Sequence, residues 1–350
     1  MDLDEKIKKV ENILKGKKVA IAFSGGADST MVAYLANKVA DEVLAITFNN
    51  EIMPSTFLND AQKIAKSIGI KHEIISQDFL EIEKFKENTL NRCYLCKNMM
   101  YSNIKQIAYD YGYETIVDGT NISDLLEDRP GIMVNYENNI LSPLVTGGIE
   151  KEEVIEFLNI NDIDYSKSTT CLATRIKTGE EITSKKISRI KYAEDLLKNL
   201  TKDDTVRVRD ISNTAQIEVK DIGPLLNKNT LQLIESELKA VNFEKITLDI
   251  GTTSLEKKEI VIYKPCKDEA NKIMFENELP YRIDIAKTCP NLENLGKVKC
   301  SEKMGVAMVD ITNRNITLFE NGKIVARKVK NKEDAQNILI QVLPLIRRVI

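Results

Sequence analysis

The sequence predicts an α/β fold: a doubly wound parallel sheet over residues 1–200, then small α+β units over 203–265 and 266–350. Three observations lead there. Through the first half, short apolar runs alternate with helical patterns, as in βαβ units. After Asp204 the pattern turns to short paired strands. With 350 residues, 43% of them apolar and 29% charged, the chain can fill two or three globular cores.

The opening stretch MDLDEKIKKVENILKG is a charged amphipathic helix and not a signal peptide. KVAIAF, EVLAITF, HEIIS and ETIVDG read as buried strands. Helical patterns such as STMVAYLANKVA and STFLNDAQKIAKSIG separate them. CYLCKNMMYSNIKQIAYDYG and KEEVIEFLNI are helices, the second followed by a short strand, and SKKISRIKYAEDLLKNL closes the first domain near residue 200. TVRVRD and AQIEVK pair around ISNT, before a helix (LQLIESELKAV) and the strands KITLDI and EIVIYK. In the last unit GVAMVDI, NITLFE and KIVARKV form a meander with Asn321-Gly322 in its second turn, and KEDAQNILIQVLPLIRRV is a helix over one face.

Composition narrows the function. A net charge of −3 argues against a broad nucleic-acid-binding surface. No apolar run is long enough to span a bilayer, so the chain reads as cytoplasmic, where thiols stay reduced. Its six cysteines then suggest metal binding or catalysis before disulfides. The lone histidine, His72, nearly excludes a histidine-based zinc enzyme; at the start of a buried strand it reads as a satisfied structural residue.

In VAIAFSGGADST a strand passes through a glycine turn into a helix. Ser24, Gly25 and Gly26 leave backbone N–H groups free to meet an anion at the helix N-terminus. Ser29 and Thr30 add hydroxyls, and Asp28 is suited to Mg²⁺. The loop lacks both the Walker lysine and G-x-G-x-x-G spacing. It resembles the SGGxDS signature of the PP-loop ATP pyrophosphatases, which adenylate an oxygen, release pyrophosphate and let a nucleophile displace AMP.

Cys93 and Cys96 are i and i+3 near the start of a helix, on one face, where the helix N-terminus favours thiolates. Cys171, in TTCLATR, is expected in a loop at the carboxyl edge of the sheet, where loops converge on a nucleotide site. Three thiols suit a [4Fe-4S] cluster with one open iron, a Cys₃ zinc site with a further ligand, or reduced cysteines without metal. Cys289 and Cys300, with ten residues between them, and Cys266 match no metal pattern and read as structural or incidental. Arg207 and Arg209, i and i+2 on a strand, point the same way and suit an anion, or form a solvated face. Lys97 and Arg129 leave the same two readings open.

Residues 1 to about 260 resemble the ATP-dependent sulfur transferases of the nickel-pincer cofactor pathway (LarE). FSGGADST is similar to their phosphate loop. GTNISDLLEDRPG resembles their GTN-x-x-D and Arg-Pro-Gly turn, which implies roles for Gly119, Asp124 and Arg129. CLATRI resembles the stretch with their sulfur-handling cysteine, here Cys171. RVRD and QIEV resemble their substrate strands, here Arg207, Arg209 and Glu218. The CxxC resembles the members that bind a [4Fe-4S] cluster, which implies Cys93, Cys96 and Cys171 as ligands. The resemblance implies a PP-loop fold of the adenine nucleotide alpha hydrolase type, with ATP, Mg²⁺ and the cluster as cofactors. It also implies a pyridinium dicarboxylate mononucleotide as acceptor, for which Lys97 is a further candidate contact, and sulfide or a sulfur donor as partner. Oligomeric state is left open. The chain departs from the family pattern at GTTSLEKK, where a Gly-Tyr-Arg turn is usual, and at Gln216, where Arg is common. A tRNA thiolase, an ammonia-using amide synthetase and a non-enzymatic iron–sulfur carrier are the competing readings.

Overall fold

The structure is a computed structural model that describes residues 2–127, 129, 131–167, 170–203, 205–251, 261–263 and 273–350. The parallel sheet has the order β3-β2-β1-β4: β1 Lys18–Ala22, β2 Glu42–Asn49, β3 Lys71–Ser76 and β4 Thr115–Val117. All three pairings are parallel. Helices cross over between the strands: α1 (Leu3–Leu14) precedes β1, while α2 (Ala27–Val39), α3 (Phe57–Ile68), α4 (Glu83–Lys86) and α5 (Arg92–Asp110) lie before β4. Alternation along the strands explains why both faces are covered. Ala20, Leu44, Ile46 and Phe48 face a core shared with α5, and Val19, Ile21, Val43 and Ala45 face one shared with α1, α2 and α3. Strand order reverses between β1 and β4. In an open parallel sheet, the crevice at the carboxyl ends of such strands is where ligands bind.

Beyond β4 come the short helices α6 (Ile122–Leu125), α7 (Ile132–Glu137) and α8 (Pro143–Gly147), then α9 (Lys151–Ile160). The short strand expected after α9 is a single bridge between Ser166 and Gly26. Helix α10, Ser184–Thr201, leads into a three-stranded sheet of order β5-β6-β7: Arg207–Ile211, Thr214–Glu218 and Lys245–Leu248. Ser212 and Asn213 both have positive φ, the two-residue turn that suits hairpin twist. Helix α11, Lys228–Ala240, covers this sheet, and its Ile234 and Leu238 join Val206, Val208 and Ile217 in the core beneath α5 and α10.

The strand within EIVIYK, β8 (Val261–Tyr263), was expected in the small unit. It pairs instead with β9, Ile273–Glu278, in a six-stranded antiparallel sheet of order β10-β11-β12-β13-β9-β8. The others are β10 Lys297–Ser301, β11 Val306–Ile311, β12 Arg314–Phe319 and β13 Lys323–Val329, joined by α12 (Ile285–Leu292) and α13 (Lys332–Val342). Cys289 of α12 is disulfide-bonded to Cys300 of β10, with Cα atoms 6.4 Å apart. This corrects the expectation of reduced thiols: α12 lies on the sheet beside β10 and brings the two together. Cys266 and most of GTTSLEKK lie outside the described residues.

This module docks on the first domain. Ile122, Leu125 and Val145 join its apolar core. Tyr281 Oη donates to the Leu125 carbonyl at 2.8 Å, and the Arg347 guanidinium lies 3.6 Å from the centre of the Tyr136 ring. Among the described residues no helix is long and apolar enough to cross a membrane.

Candidate active site

A cavity of about 400 Å³ opens at the carboxyl edge of β1 and β4. The phosphate loop, α5, the loop at Asp118–Thr120 and the Cys171 loop all line it. The loop's shape follows from two glycines. Gly25 has φ +72°, and a Cβ there would stand 3.0 Å from the Ala61 backbone. A Cβ on Gly119 would stand 2.6 Å from the Ser29 nitrogen, so only glycine lets the end of β4 approach the start of α2 this closely. Within the loop, Ser29 Oγ donates to the Gly26 carbonyl at 3.1 Å, accepts from the Ser24 N–H at 3.3 Å and lies 3.2 Å from Ser24 Oγ.

Two carboxylates face this loop. Asn121 Nδ2 donates to Asp28 Oδ1 at 2.8 Å, and Asp124 closes a capping box with Asn121 at the start of α6. Burial raises both acids, Asp124 to about 6 despite Arg129 at 2.6 Å. The negative charges of Asp28 and Glu127 push Asp124 up further. Paired, desolvated carboxylates beside an anion loop are a donor set for a hard divalent cation, which would restore their ionised forms.

Asp118, at the end of β4, was not singled out from sequence. It is buried and accepts from Tyr101 Oη at 2.8 Å, Thr120 Oγ1 at 2.5 Å, Ser142 Oγ at 2.7 Å and Asn135 Nδ2 at 2.8 Å. Lys97 Nζ is 3.3 Å away. Burial pushes this carboxyl up, but Lys97 and the hydroxyls outweigh it and hold Asp118 below the ordinary range. Its signal in the sequence was a carboxylate at a strand's carboxyl end, directly before GTN.

The three expected cysteines converge on the same cavity. Cys93 and Cys96 come from the first turns of α5, and Cys171 precedes a short 3₁₀ turn, Leu172–Arg175. All three are free thiols. The thiolate character expected of Cys96 is corrected: burial raises its thiol, and the neighbouring Cys171 and Cys93 add to it. Burial raises the Cys171 thiol as well, and Arg92 pulls both down without cancelling the effect. The loop carrying Cys171 is tied down by Asn88, a buried residue at φ +52°. Its Nδ2 donates to the Lys177 and Glu180 carbonyls, both at 2.9 Å.

Of the residues expected from sequence, Ser24, Gly26, Asp28, Ser29, Cys93, Cys96, Lys97, Gly119, Asp124, Arg129 and Cys171 line the cavity. Gly25 shapes the loop without lining it. Thr30 faces the core of α2, its Oγ1 buried and without a partner. The structure does not bring Arg207, Arg209 or Glu218 to the cavity; Arg209 is instead ion-paired with Glu218 across β5 and β6. Gln216 donates to Asp249 at 3.1 Å. His72 is satisfied, as expected, by Thr47 Oγ1 at 2.7 Å, and burial lowers its pKa.

Among the described residues no three His, Cys, Asp or Glu side chains are grouped so as to hold a metal ion. Zinc and iron–sulfur sites both take thiolate sulfur, and the three free thiols that line one cavity match the donor chemistry of either.

A family profile described as "Queuosine biosynthesis protein QueC" matches residues 18–126. An uncharacterized protein of Methanocaldococcus jannaschii is 33% identical over 251 residues, 70% of this chain and 96% of that protein. The pyridinium-3,5-bisthiocarboxylic acid mononucleotide synthase of Lactiplantibacillus plantarum is 30% identical over 241 residues, 67% of this chain and 86% of that enzyme. A probable tRNA sulfurtransferase of Methanobrevibacter smithii is 29% identical over 168 residues, covering 43% and 42% of the two chains.

Proposed function

The chain belongs to the PP-loop family of ATP-dependent sulfur transferases that includes pyridinium-3,5-bisthiocarboxylic acid mononucleotide synthase (LarE), and from that premise we propose that it thiolates a carboxylate of pyridinium-3,5-dicarboxylate mononucleotide, with Cys93, Cys96 and Cys171 holding a [4Fe-4S] cluster. One observation carries the reading: the phosphate loop, the Asp28–Asp124 pair and the free thiols of Cys93, Cys96 and Cys171 line a single cavity, so activation and sulfur delivery share one space.

Backbone N–H groups of the Ser24–Gly26 turn and the Ser29 hydroxyl receive the phosphates. Asp28 and Asp124 would hold Mg²⁺, while Lys97 and Arg129 supply positive charge. The acceptor carboxylate attacks the α-phosphorus; an O–P bond forms and pyrophosphate leaves. The carboxylate oxygen, a poor leaving group, thus departs later as part of AMP. Phe48, Phe57 and Phe85 line the cavity and help exclude water from the acyl adenylate. A sulfur nucleophile then forms the C–S bond as the C–O bond to AMP breaks. A cluster held by Cys93, Cys96 and Cys171 would supply an iron without a protein ligand, open to external sulfide. Lys97, poised between Asp118 and the cavity, stabilises negative charge on the departing AMP. The acceptor roles of Arg207, Arg209 and Glu218 rest on family resemblance.

Two findings favour the small acceptor over tRNA. The chain covers most of the mononucleotide synthase but 42% of the probable tRNA sulfurtransferase, and its charge is near neutral, whereas RNA affinity draws on many Lys and Arg contacts. Cluster-loaded protein should be offered both acceptors with ATP, Mg²⁺ and sulfide. Thiocarboxylate on the dicarboxylate nucleotide is expected, while thiouridine in tRNA with no reaction on the small molecule would replace this reading with the thiolase.

A further inference from the structure

Three arginines of this chain are buried among the described residues: Arg92, Arg175 and Arg189. Two have a carboxylate to answer their charge. Arg175 Nε lies 2.7 Å from Glu194, and Arg189 forks onto Asp210. Arg92, 9% exposed and on the cavity wall, donates only to uncharged groups. Nη1 reaches Asn88 Oδ1 and, at 3.1 Å, the Ala173 carbonyl; Nη2 reaches Cys93 Sγ at 3.7 Å. A desolvated guanidinium without a counter-ion is strongly unfavourable, so its retention implies an anion that arrives later. Arg92 faces the cysteines, and the bonds it makes join two parts of the site. Ala173 stands two residues beyond Cys171, and Asn88 holds the following loop at Lys177 and Glu180.

We infer that Arg92 is the built-in counter-charge of an anionic sulfur subsite between Cys93, Cys96 and Cys171, and also the splint that holds the Cys171 loop against α5. The anion is the thiolate-ligated iron–sulfur core, whose three thiolates outweigh the charge of the oxidised core. In this form the inference rests on the sulfur-transfer reading. It makes Arg92 a positioning residue: it sets the charge and spacing of the sulfur ligands and takes no part in bond making.

The test compares wild type with Arg92→Met and Arg92→Lys in two arms. In the first, each protein is reconstituted anaerobically with iron and sulfide, and iron per chain and cluster midpoint potential are measured. Arg92→Met should retain less than half the wild-type iron and show a potential shifted negative, because a nearby cation that favours the electron-richer state is gone. Arg92→Lys should keep the potential while losing iron faster than wild type, because the charge remains and the fork to Ala173 does not. Full iron with an unchanged potential in Arg92→Met would overturn the inference. In the second arm, the metal-free proteins are melted. Arg92→Met should melt close to wild type, because the lost bonds to Asn88 and the Ala173 carbonyl are offset by removal of a buried charge without a counter-ion; a marked fall would make Arg92 an ordinary structural residue and overturn the proposal. Should Arg92→Met fail to fold, that outcome counts against it equally, and Arg92→Lys still decides the first arm. Wild type that takes up no iron would defeat the cluster reading, a result separable from the melting arm.

Discussion

Asp124→Asn should stabilise the ATP-free protein at neutral pH while removing its Mg²⁺-dependent chemistry. Asp124 is buried, and burial lifts its carboxyl from 3.8 to about 6 even with Arg129 beside it. An acid raised on folding binds its proton more tightly folded than unfolded. Its contribution is therefore most favourable below pH 4 and is lost as pH rises through 6. The full shift corresponds to about 3 kcal/mol. Between pH 5 and pH 7.5 the wild type should lose about 1.4 kcal/mol that a neutral side chain would not lose. Asparagine keeps an oxygen for the Asn121 N–H, 3.1 Å from Asp124 Oδ2, so the helix cap survives and the charge is the main change. The assay is urea unfolding of both proteins at the two pH values, without ATP or divalent cation. The gap between variant and wild type should widen by about 1.4 kcal/mol at the higher pH. Parallel pH profiles would refute the argument that an ionised Asp124 is held in the fold against its own preference.

Asp28→Asn should abolish Mg²⁺-dependent release of AMP and pyrophosphate with little change in circular dichroism; ADP and phosphate as main wild-type products would contradict the assigned chemistry. Gly119→Ala should destabilise the fold by about 1–3 kcal/mol through overpacking, because the new methyl meets the Ser29 nitrogen, and ATP affinity measured by calorimetry should fall with it. Alanine at Cys93, Cys96 or Cys171 should lower iron content after reconstitution, whereas alanine at Cys289 or Cys300 should leave iron unchanged; equal loss from both groups would break the assignment.

Much of this could be read from the chain because local pattern decides it. KVAIAF and EVLAITF are apolar on both faces, as a covered parallel strand must be, and Ser24–Ser29 joins strand to helix through glycine. The cysteines were readable as a set because CxxC on a helix and a cysteine beyond the next crossover both belong to the sheet's carboxyl edge. What escaped was settled by contacts distant in sequence. Val261–Tyr263 is a strand in any reading, but only pairing with Ile273–Glu278 assigns its sheet. Cys289 and Cys300 match no motif, because packing of α12 beside β10 joins them. Arg92, directly before the CxxC, belongs to no motif; its lack of a carboxylate is visible only once its surroundings are assembled. Arg207 and Arg209 do share a strand face, yet Glu218 on the neighbouring strand neutralises one of them locally.

The docking of the last sheet onto α6 has a practical consequence for anyone shortening this chain. Leu125 belongs to two neighbourhoods at once: its side chain fills the core of the C-terminal module, and its helix carries Asp124 into the cavity. A version ending near residue 265 would leave Ile122, Leu125 and Val145 without their covering and strip the Arg347 cation from the Tyr136 ring. Such a fragment would carry every residue assigned to chemistry and still have a sticky, loosened wall where Asp124 is mounted. The boundary drawn by likeness to shorter relatives is therefore not the boundary at which this protein can be cut.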